Sequence, residues 1–425
     1  MRRRAKPSPP AKRLTVSIGE IGARGDGVAH ADGREIFVPL TAPGDVALIE
    51  ARGERGCLIE LIEQSPNRVA PPCPHYGACG GCALQHVDEV FYRAWKRERV
   101  IEALARAGLG DVPVNDLVAT PPATRRRATF AVRRLKGGVV LGFNERQSSN
   151  IVDLKKCLIL HPDLLARLSG LRALAASLGA PSFDLAVTLC RNGLDIDITG
   201  ARMEEPRGAA LLKITDVAMA AGCVRICING EALITFEPPL IDFDGVAVTP
   251  PPGAFLQASK EGEAALIGLV KKGVGGARKI CDLFAGCGSF ALPLAKSASL
   301  SAYDSDAGAI GALSAGAANA QRAGLAINPV RAEARDLFER PLQVDELSGF
   351  DAAVFDPPRA GARAQAETLA ASRVPLVIGV SCNPATFARD AALLVAGGYR
   401  LEEVTPVDQF VYSSHVELVG VFRKG

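Results

Sequence analysis

From Leu14 to Glu63 apolar and polar positions alternate in short bursts, at Leu14–Ile18, Glu35–Val38, Val46–Glu50 and Cys57–Leu61, separated by Gly, Asp and Pro. A strand sends successive side chains to opposite faces, so this alternation predicts short half-buried strands, and their regular spacing predicts a small antiparallel barrel. Residues 66–84 carry no period and are rich in Pro, Gly and Cys, so something other than packing must order them. Helical spacing over 88–108, with Phe91 and Trp95 among basic residues, predicts a helix. Strand patterning returns between about 113 and 250, with a helical stretch near 163–178 and an Asn192-Gly193 turn between two apolar runs, which predicts a central, mostly β unit. From Pro251 the texture becomes strand–helix alternation: a helix over 258–271, strands at Lys279–Phe284 and Ala352–Asp356, and a further strand at Val377–Val380. That order predicts a doubly wound α/β sheet. The chain then divides into an arm (1–13), a barrel (14–68), a central domain (69–250) and a C-terminal α/β domain (251–425), with no internal repeat.

At 425 residues, 48% of them hydrophobic and 22% charged, the chain suits two or three globular domains. No apolar stretch reaches the roughly 18 residues a membrane span needs, and the basic N-terminus runs into Pro7, Ser8, Pro9 and Pro10 instead of an apolar signal segment. A disordered basic arm on a cytoplasmic protein without a membrane partner is the expectation. Net charge is only +3, but it is unevenly placed. Residues 1–13 hold six Lys or Arg and no acid, and residues 117–144 hold Arg125, Arg126, Arg127, Arg133, Arg134 and Lys136, again with no acid. Such runs suit a nucleic-acid backbone, while a solvated tail and a charged strand surface account for them equally well. Eleven cysteines, an odd number without an export signal, argue against a disulfide framework and for metal binding or catalysis.

The segment Cys281-Asp-Leu-Phe-Ala-Gly-Cys-Gly-Ser-Phe290 reads as a strand entering a glycine-rich turn and then a helix, the usual ligand position at the end of the first strand. Asp304, after the next strand, is placed to accept both hydroxyls of a ribose. The missing third glycine disfavours a nicotinamide cofactor. Asp356-Pro-Pro-Arg359 then makes a rigid extended loop at the sheet's carboxyl edge, and the next strand leads into Ser381-Cys382-Asn383-Pro384. A cysteine at that crevice is a candidate nucleophile, against the commoner fate of an inert buried thiol.

Together Asp-Pro-Pro-Arg-x-Gly, the run Ser381 to Asp390 and His415-Val416-Glu417 resemble the RNA 5-methyluridine methyltransferase family over nearly the whole chain, and the N-terminal barrel resembles that family's TRAM module, an OB-like fold. The resemblance implies a Rossmann-like methyltransferase domain, S-adenosylmethionine as methyl donor and an RNA substrate. It implies Cys382 as nucleophile and Glu417 as base. It carries the cofactor contacts over as Gln257, Phe284, Ser289, Asp304, Glu333 and Asp356. Ser289 stands where Asn or Thr is commoner, and the surroundings of Glu333 depart from the usual Gly-Asp-Ala pattern.

Cys73-x5-Cys79-x2-Cys82, with Cys157 further along, forms a second constellation in which four thiolates suit zinc or an iron–sulfur cluster. Spacing does not choose between them. Similarity to the ribosomal-RNA branch of the family implies a [4Fe-4S] cluster and favours 23S rRNA as substrate, with transfer RNA as the alternative. His75 and His86 read as ordinary loop residues, and Cys57, Cys190, Cys223, Cys227, Cys281 and Cys287 as small buried hydrophobes. Two other readings compete. A cytosine C5 methyltransferase would carry its cysteine in a Pro-Cys motif after strand four, where Asp356-Pro-Pro-Arg359 has none, and a non-catalytic RNA-binding factor would have no use for Cys382 and Glu417. No obligate protein partner is evident, and a monomer is expected.

Overall fold

The computed structural model describes residues 11–200 and 206–425. Most of the expected N-terminal arm lies outside them, and Lys12 and Arg13, which were grouped with it, already belong to the first strand. Strands β1 (Lys12–Ile21), β2 (Gly27–Ala31), β3 (Arg34–Val38), β4 (Val46–Arg52) and β5 (Arg55–Glu63) close into a barrel in the order β1-β2-β3-β5-β4. Alternation fills it: Val16, Ile18, Ala29, Ile36, Val38, Ala47, Ile49 and Ala51 point inward and form its core. Gly27 has no substitute here, since a Cβ would fall 2.1 Å from Thr41 Oγ1. Cys57, expected to be a buried hydrophobe, is exposed on β5 because its neighbours Gly56 and Leu58 take the inward and half-buried positions.

Helix α1 (Glu89–Arg106) starts at Asp88, whose carboxylate accepts the amides of Val90 and Phe91. Its Trp95 indole donates to the Ile21 carbonyl at 2.9 Å, and Ile21, Ala42, Leu84, Val87, Tyr92 and Trp95 form a cluster that docks the barrel. A short strand, β6 (Val118–Ala119), follows.

The central sheet contains β7 (Arg127–Leu135), β8 (Gly138–Asn144), β9 (Ile151–Asp153), then, after helices α2 (Pro162–Ala166) and α3 (Leu168–Ser177), β10 (Ser182–Cys190) and β11 (Gly193–Thr199), and, after α4 (Gly208–Ala220), β12 (Cys223–Ile228) and β13 (Glu231–Thr235). Its order is β13-β12-β11-β10-β7-β8-β9. The Asn192-Gly193 turn joins β10 to β11 as an antiparallel hairpin. The helical stretch near 163–178 is two helices, because Arg167 (φ −93°, ψ 2°) leaves helical geometry between them. A β hairpin, β14 (Ile241–Phe243) with β15 (Val246–Val248), leads out of this region.

The C-terminal body runs α5 (Lys260–Val274), β16 (Lys279–Leu283), α6 (Ala291–Leu294), β17 (Ser299–Asp304), α7 (Ala307–Arg322), β18 (Val330–Ala334), β19 (Ala352–Phe355), α8 (Arg363–Ala371), β20 (Leu376–Ser381), α9 (Pro384–Ala396), β21 (Tyr399–Asp408) and β22 (Glu417–Lys424). Its sheet has the order β18-β17-β16-β19-β20-β22-β21-β6. The five strands β16 to β20 pair in parallel, and β22 inserts antiparallel between β20 and β21. Strand order reverses between β16 and β19, which opens a crevice above their carboxyl ends. One face is covered by α5, α6 and α7 together with the β14–β15 hairpin, through Leu266, Leu292, Leu313, Phe243 and Val248. The other is covered by α8, α9 and α1, through Leu369, Leu394 and Leu104. Residues 69–250 are thus shared: α1, β6 and the β14–β15 hairpin pack on the C-terminal sheet. No helix among the described residues is long and apolar enough to cross a membrane.

One buried charge pair ties α1 to this sheet. The Lys96 ammonium, wholly shielded from water, bonds Asp408 Oδ1 and, at 3.2 Å, the Phe410 carbonyl, while Tyr92 donates to Asp408 Oδ2 at 2.7 Å and accepts from the Tyr412 amide. Burial pulls the Lys96 pKa down to about 8, against the opposing pull of Asp408. A lysine depressed below its unfolded value leaves stability lowest at and below pH 8, rising as pH climbs toward 10.5. Asp408→Ala should therefore destabilise the protein by about 3–5 kcal/mol at neutral pH, whereas the double change Lys96→Met with Asp408→Leu should lose far less. Urea unfolding of both variants measures this, and equal losses would contradict it.

Candidate active site

Strand β20 ends at Ser381, whose hydroxyl accepts the Asn383 amide at 3.1 Å, and Asn383 Oδ1 in turn accepts the Ala385 amide as N-cap of α9. Asn383 Nδ2 also donates to the Arg359 carbonyl, as does the Thr386 hydroxyl. Cys382 therefore sits on a turn fastened to the Asp356–Arg359 loop. Gly361 (φ 80°) allows the close approach, since a Cβ there would meet Asp390 Oδ2 at 2.5 Å. Glu417 opens β22, and the pairing of Ser381 with Leu418 brings it beside Cys382. Both line a cavity of about 770 Å³, together with Arg125, Arg359, Phe410 and His415.

Burial first, then the Glu417 and Asp356 carboxylates, push the Cys382 thiol up to about 11, with Arg359 opposing. Glu417, itself 4% exposed, is pushed up to about 7 by burial, against a hydrogen bond from Gln409 and the charges of Arg359 and Lys96. Near neutral pH the pair therefore holds a protonated thiol beside a carboxyl poised to exchange a proton. His415 is driven down to about 4 by burial, then by Arg359, Lys96, Arg99 and Arg125. The guanidinium of Arg359 lies 2.7 Å from His415 Nδ1 and can only donate, so the neutral ring carries its proton on Nε2.

The six expected cofactor residues occupy the crevice side, and none of them lines that cavity. Phe284, in left-handed geometry (φ 66°) directly after β16, packs on Phe338. Asp304 spans the glycine turn, accepting the amides of Gly286 and Asp306 at 2.9 Å each. Ser289 is half-buried just before α6, and Glu333 lies on edge strand β18 opposite Tyr303. Asp356, raised well above the usual carboxylate range by burial, Glu417 and Asp282, accepts from Gln257 Nε2 at 3.3 Å. Gln257 Oε1 accepts from Gln409 Nε2 at 2.7 Å, and Gln409 reaches Glu417. This amide bridge from the cofactor side to Glu417 was not foreseen from sequence. Gln257 and Gln409 are 152 positions apart, and the nearest local sign is Gly262, where a Cβ would fall 2.5 Å from that of Gln409.

Cys73, Cys79, Cys82 and Cys157 line the far wall of the same cavity. Burial raises Cys79, Cys82 and Cys157, Cys82 to about 12, and each is raised further by at least one of the other thiols. Their donor chemistry suits a metal group and their mutual proximity agrees with it. As they stand, no three His, Cys, Asp or Glu side chains among the described residues converge closely enough to hold a metal ion. His75 accepts the Lys155 amide in a loop, whereas His86 is buried, hydrogen-bonded to Tyr76 Oη and pushed down to about 4 by burial. Cys190, Cys223, Cys227, Cys281 and Cys287 are buried.

The basic run divides by burial. Arg126 is buried against Glu263 at 2.7 Å, and Arg127 donates to the Leu256 carbonyl while facing the Phe255 ring. The two therefore anchor the central sheet to the entry of α5 and do not form an open phosphate surface. Arg125 faces the cavity, and Arg133, Arg134 and Lys136 are exposed.

A family model described as tRNA (Uracil-5-)-methyltransferase matches residues 254–424. An uncharacterized RNA methyltransferase of Brucella suis is 46% identical over 98% of this chain and 99% of its own length. The 23S rRNA (uracil(1939)-C(5))-methyltransferase of Chromohalobacter salexigens is 34% identical over 95% of this chain and 87% of its own. The crystal structure of the Pyrococcus abyssi tRNA (uracil-54, C5)-methyltransferase with S-adenosyl-L-homocysteine shares the fold, with a TM-score of 0.73 at 24% identity, covering 96% of this chain and all of that one. With its motifs, topology and full-length relatives in agreement, the chain belongs to the RNA (uracil-C5)-methyltransferase family.

Proposed function

We propose that the protein transfers a methyl group from S-adenosylmethionine to C5 of one uridine in RNA, with 23S rRNA as the substrate, through a covalent adduct on Cys382. The observation that carries this reading is the pair Cys382 and Glu417, set on adjacent strand ends and opening into one cavity. The 34% identity to a 23S rRNA enzyme over nearly the whole chain, barrel included, favours ribosomal over transfer RNA. Mass-spectrometric mapping of 5-methyluridine in RNA from cells with and without the protein tests the substrate. Loss of a transfer-RNA site in place of a ribosomal one would reassign it.

Uracil C5 is too weak a nucleophile to take a methyl group directly. Addition of the Cys382 sulfur to C6, with its thiol proton passing to solvent, makes an enolate whose C5 can attack. Gln257, Phe284, Ser289, Asp304, Glu333 and Asp356 would hold S-adenosylmethionine, which would supply an electrophilic methyl and leave as S-adenosylhomocysteine. Glu417 then takes the C5 proton, the C5–C6 double bond re-forms, and the Cys382 sulfur leaves. Arg359 favours the thiolate, and Gln409 orients the Glu417 carboxylate toward its task. A target base in structured RNA must leave its stack to reach this depth.

Cys382→Ala should abolish both the adduct and methylation. Glu417→Gln should permit addition and transfer but not release, accumulating a methyl-labelled protein–RNA adduct that survives denaturing electrophoresis. Normal turnover by Glu417→Gln, or an adduct with Cys382→Ala, would reverse the assignment. Because Glu417 must be ionised to accept the proton, turnover should rise as pH climbs through about 7. In the absence of RNA, Glu417→Gln also removes a charge that raises the Cys382 thiol, so iodoacetamide should modify Cys382 faster at pH 8 in this variant than in the parent.

The second part of the reading assigns Cys73, Cys79, Cys82 and Cys157 to a [4Fe-4S] cluster that orders the aperiodic segment 66–84 and shapes the RNA side of the cavity. Protein purified without oxygen should be brown and contain about four irons per chain. Zinc without iron in that preparation would identify a zinc site instead.

A further inference from the structure

A second cavity, of about 520 Å³, adjoins the first at Cys382. Three arginines from separate elements line it: Arg24 from the β1–β2 turn of the barrel, Arg99 from α1 and Arg359 from the loop after β19. No Asp or Glu lines it. Arg24 is exposed and its guanidinium makes no ion pair or hydrogen bond among the described residues. Arg99 and Arg359 are fixed by neutral groups only. Arg99 donates to the Ser414 carbonyl and lies over the Trp95 ring at 5.2 Å, and Arg359 bonds the neutral His415. The held side chains keep most of their donors and all of their charge. Three positive charges around an opening whose lining holds no carboxylate make it attractive to an anion, although Glu102 lies near Arg99 and Glu417 near Arg359.

We propose that Arg24, Arg99 and Arg359 clamp a phosphodiester of the RNA strand that carries the target uracil. The inference rests on the uracil reading for its ligand. A base whose C6 meets Cys382 brings its own flanking phosphates to the edge of the cavity that Cys382 also borders. A guanidinium fork matches phosphate oxygens, and two of these three forks are already oriented by other contacts. The barrel is thereby a direct part of the substrate site through Arg24, in addition to being an RNA grip at a distance. Its docking contacts, Trp95 to Ile21 and Arg146 to Asp26, hold Arg24 at the right place.

The test uses the full-length holoprotein and an unmodified 23S rRNA transcript, measuring binding across a salt series and methyl transfer against RNA concentration. Arg24→Glu should raise KM for RNA about tenfold with kcat nearly unchanged, and should flatten the plot of log affinity against log salt by about 0.7 for the lost single-strand contact. Arg24→Lys should restore most of the affinity. Arg34→Glu makes the same charge change on the same barrel but lines neither cavity, and should behave like the parent. Unchanged affinity and slope in Arg24→Glu, or an equal loss in Arg34→Glu, would overturn the clamp. A parent protein that binds the transcript but does not methylate it would count against the uracil reading instead, and the binding slopes would still decide the clamp.

Discussion

Lys96 and Asp408 meet where no water reaches, and the placement of the candidate catalytic groups follows from that pair. A buried ammonium is tolerable only with a carboxylate and further acceptors around it, and here Asp408 and the Phe410 carbonyl accept from it, the Tyr92 ring lies beneath it at 4.8 Å, and the Tyr92 hydroxyl donates to the same Asp408 carboxylate. Asp408 is the last residue of β21, so satisfying Lys96 fixes where that strand ends and how the chain leaves it. The next nine positions supply Gln409, Phe410, Tyr412, Ser414, His415 and finally Glu417, all bound to the cavity or to the network around it. The same lysine lies on α1, whose Trp95 and Arg99 reach the barrel and the second cavity. One ion pair thereby sets the relative position of barrel, sheet and loop.

Sheet topology supplies the other half of the placement. Were β22 parallel to β20, its first residue would lie at the far end of the sheet from Cys382. Antiparallel insertion turns the start of β22 to the same edge at which β20 ends. Two residues 35 positions apart in sequence thus become neighbours without any long-range motif. The electrostatic consequence is a division of charge within one opening. Glu417 and Asp356 raise the thiol, and Glu417 raises Asp356, on the inner side, while Arg24, Arg99, Arg125 and Arg359 line the two adjoining cavities that an anionic strand would enter.

Much of this was legible in the sequence where a periodicity or a rigid motif recorded it. The barrel strands, α1, the hairpin at Asn192-Gly193 and the alternating C-terminal body each have a local pattern whose cause is local: burial of one face, a turn residue, a cap. The glycine turn, the Asp356 loop and Cys382 were legible for the same reason, since each follows directly on a strand end. What was not legible depends on partners far apart in the chain. Charge counting treated Arg125, Arg126 and Arg127 as one surface, but their partners lie far along the chain: Arg126 is buried against Glu263 and Arg127 donates to the Leu256 carbonyl, while Arg125 faces the cavity. Cys57 failed for a similar reason, because composition says nothing about which face of β5 a small residue takes.

The bridge through Gln257 and Gln409 shows why such partners matter for chemistry as well as for packing. Gln409 Oε1 is buried without a hydrogen-bond partner, while its amide nitrogen serves Gln257 and Glu417. An amide can hold a carboxylate in place by donating to it without adding charge, so it stabilises the ionised base less than a cation would. A lysine or arginine at position 409 would pull Glu417 down toward the ordinary carboxylate range and weaken it as a base at neutral pH. An apolar residue there would leave Glu417 to desolvation alone, raising it further and keeping it protonated when the proton must be taken. The neutral donor lies between these limits, and it allows Glu417 a value near 7 in a site where nine-tenths of the residue is hidden from water.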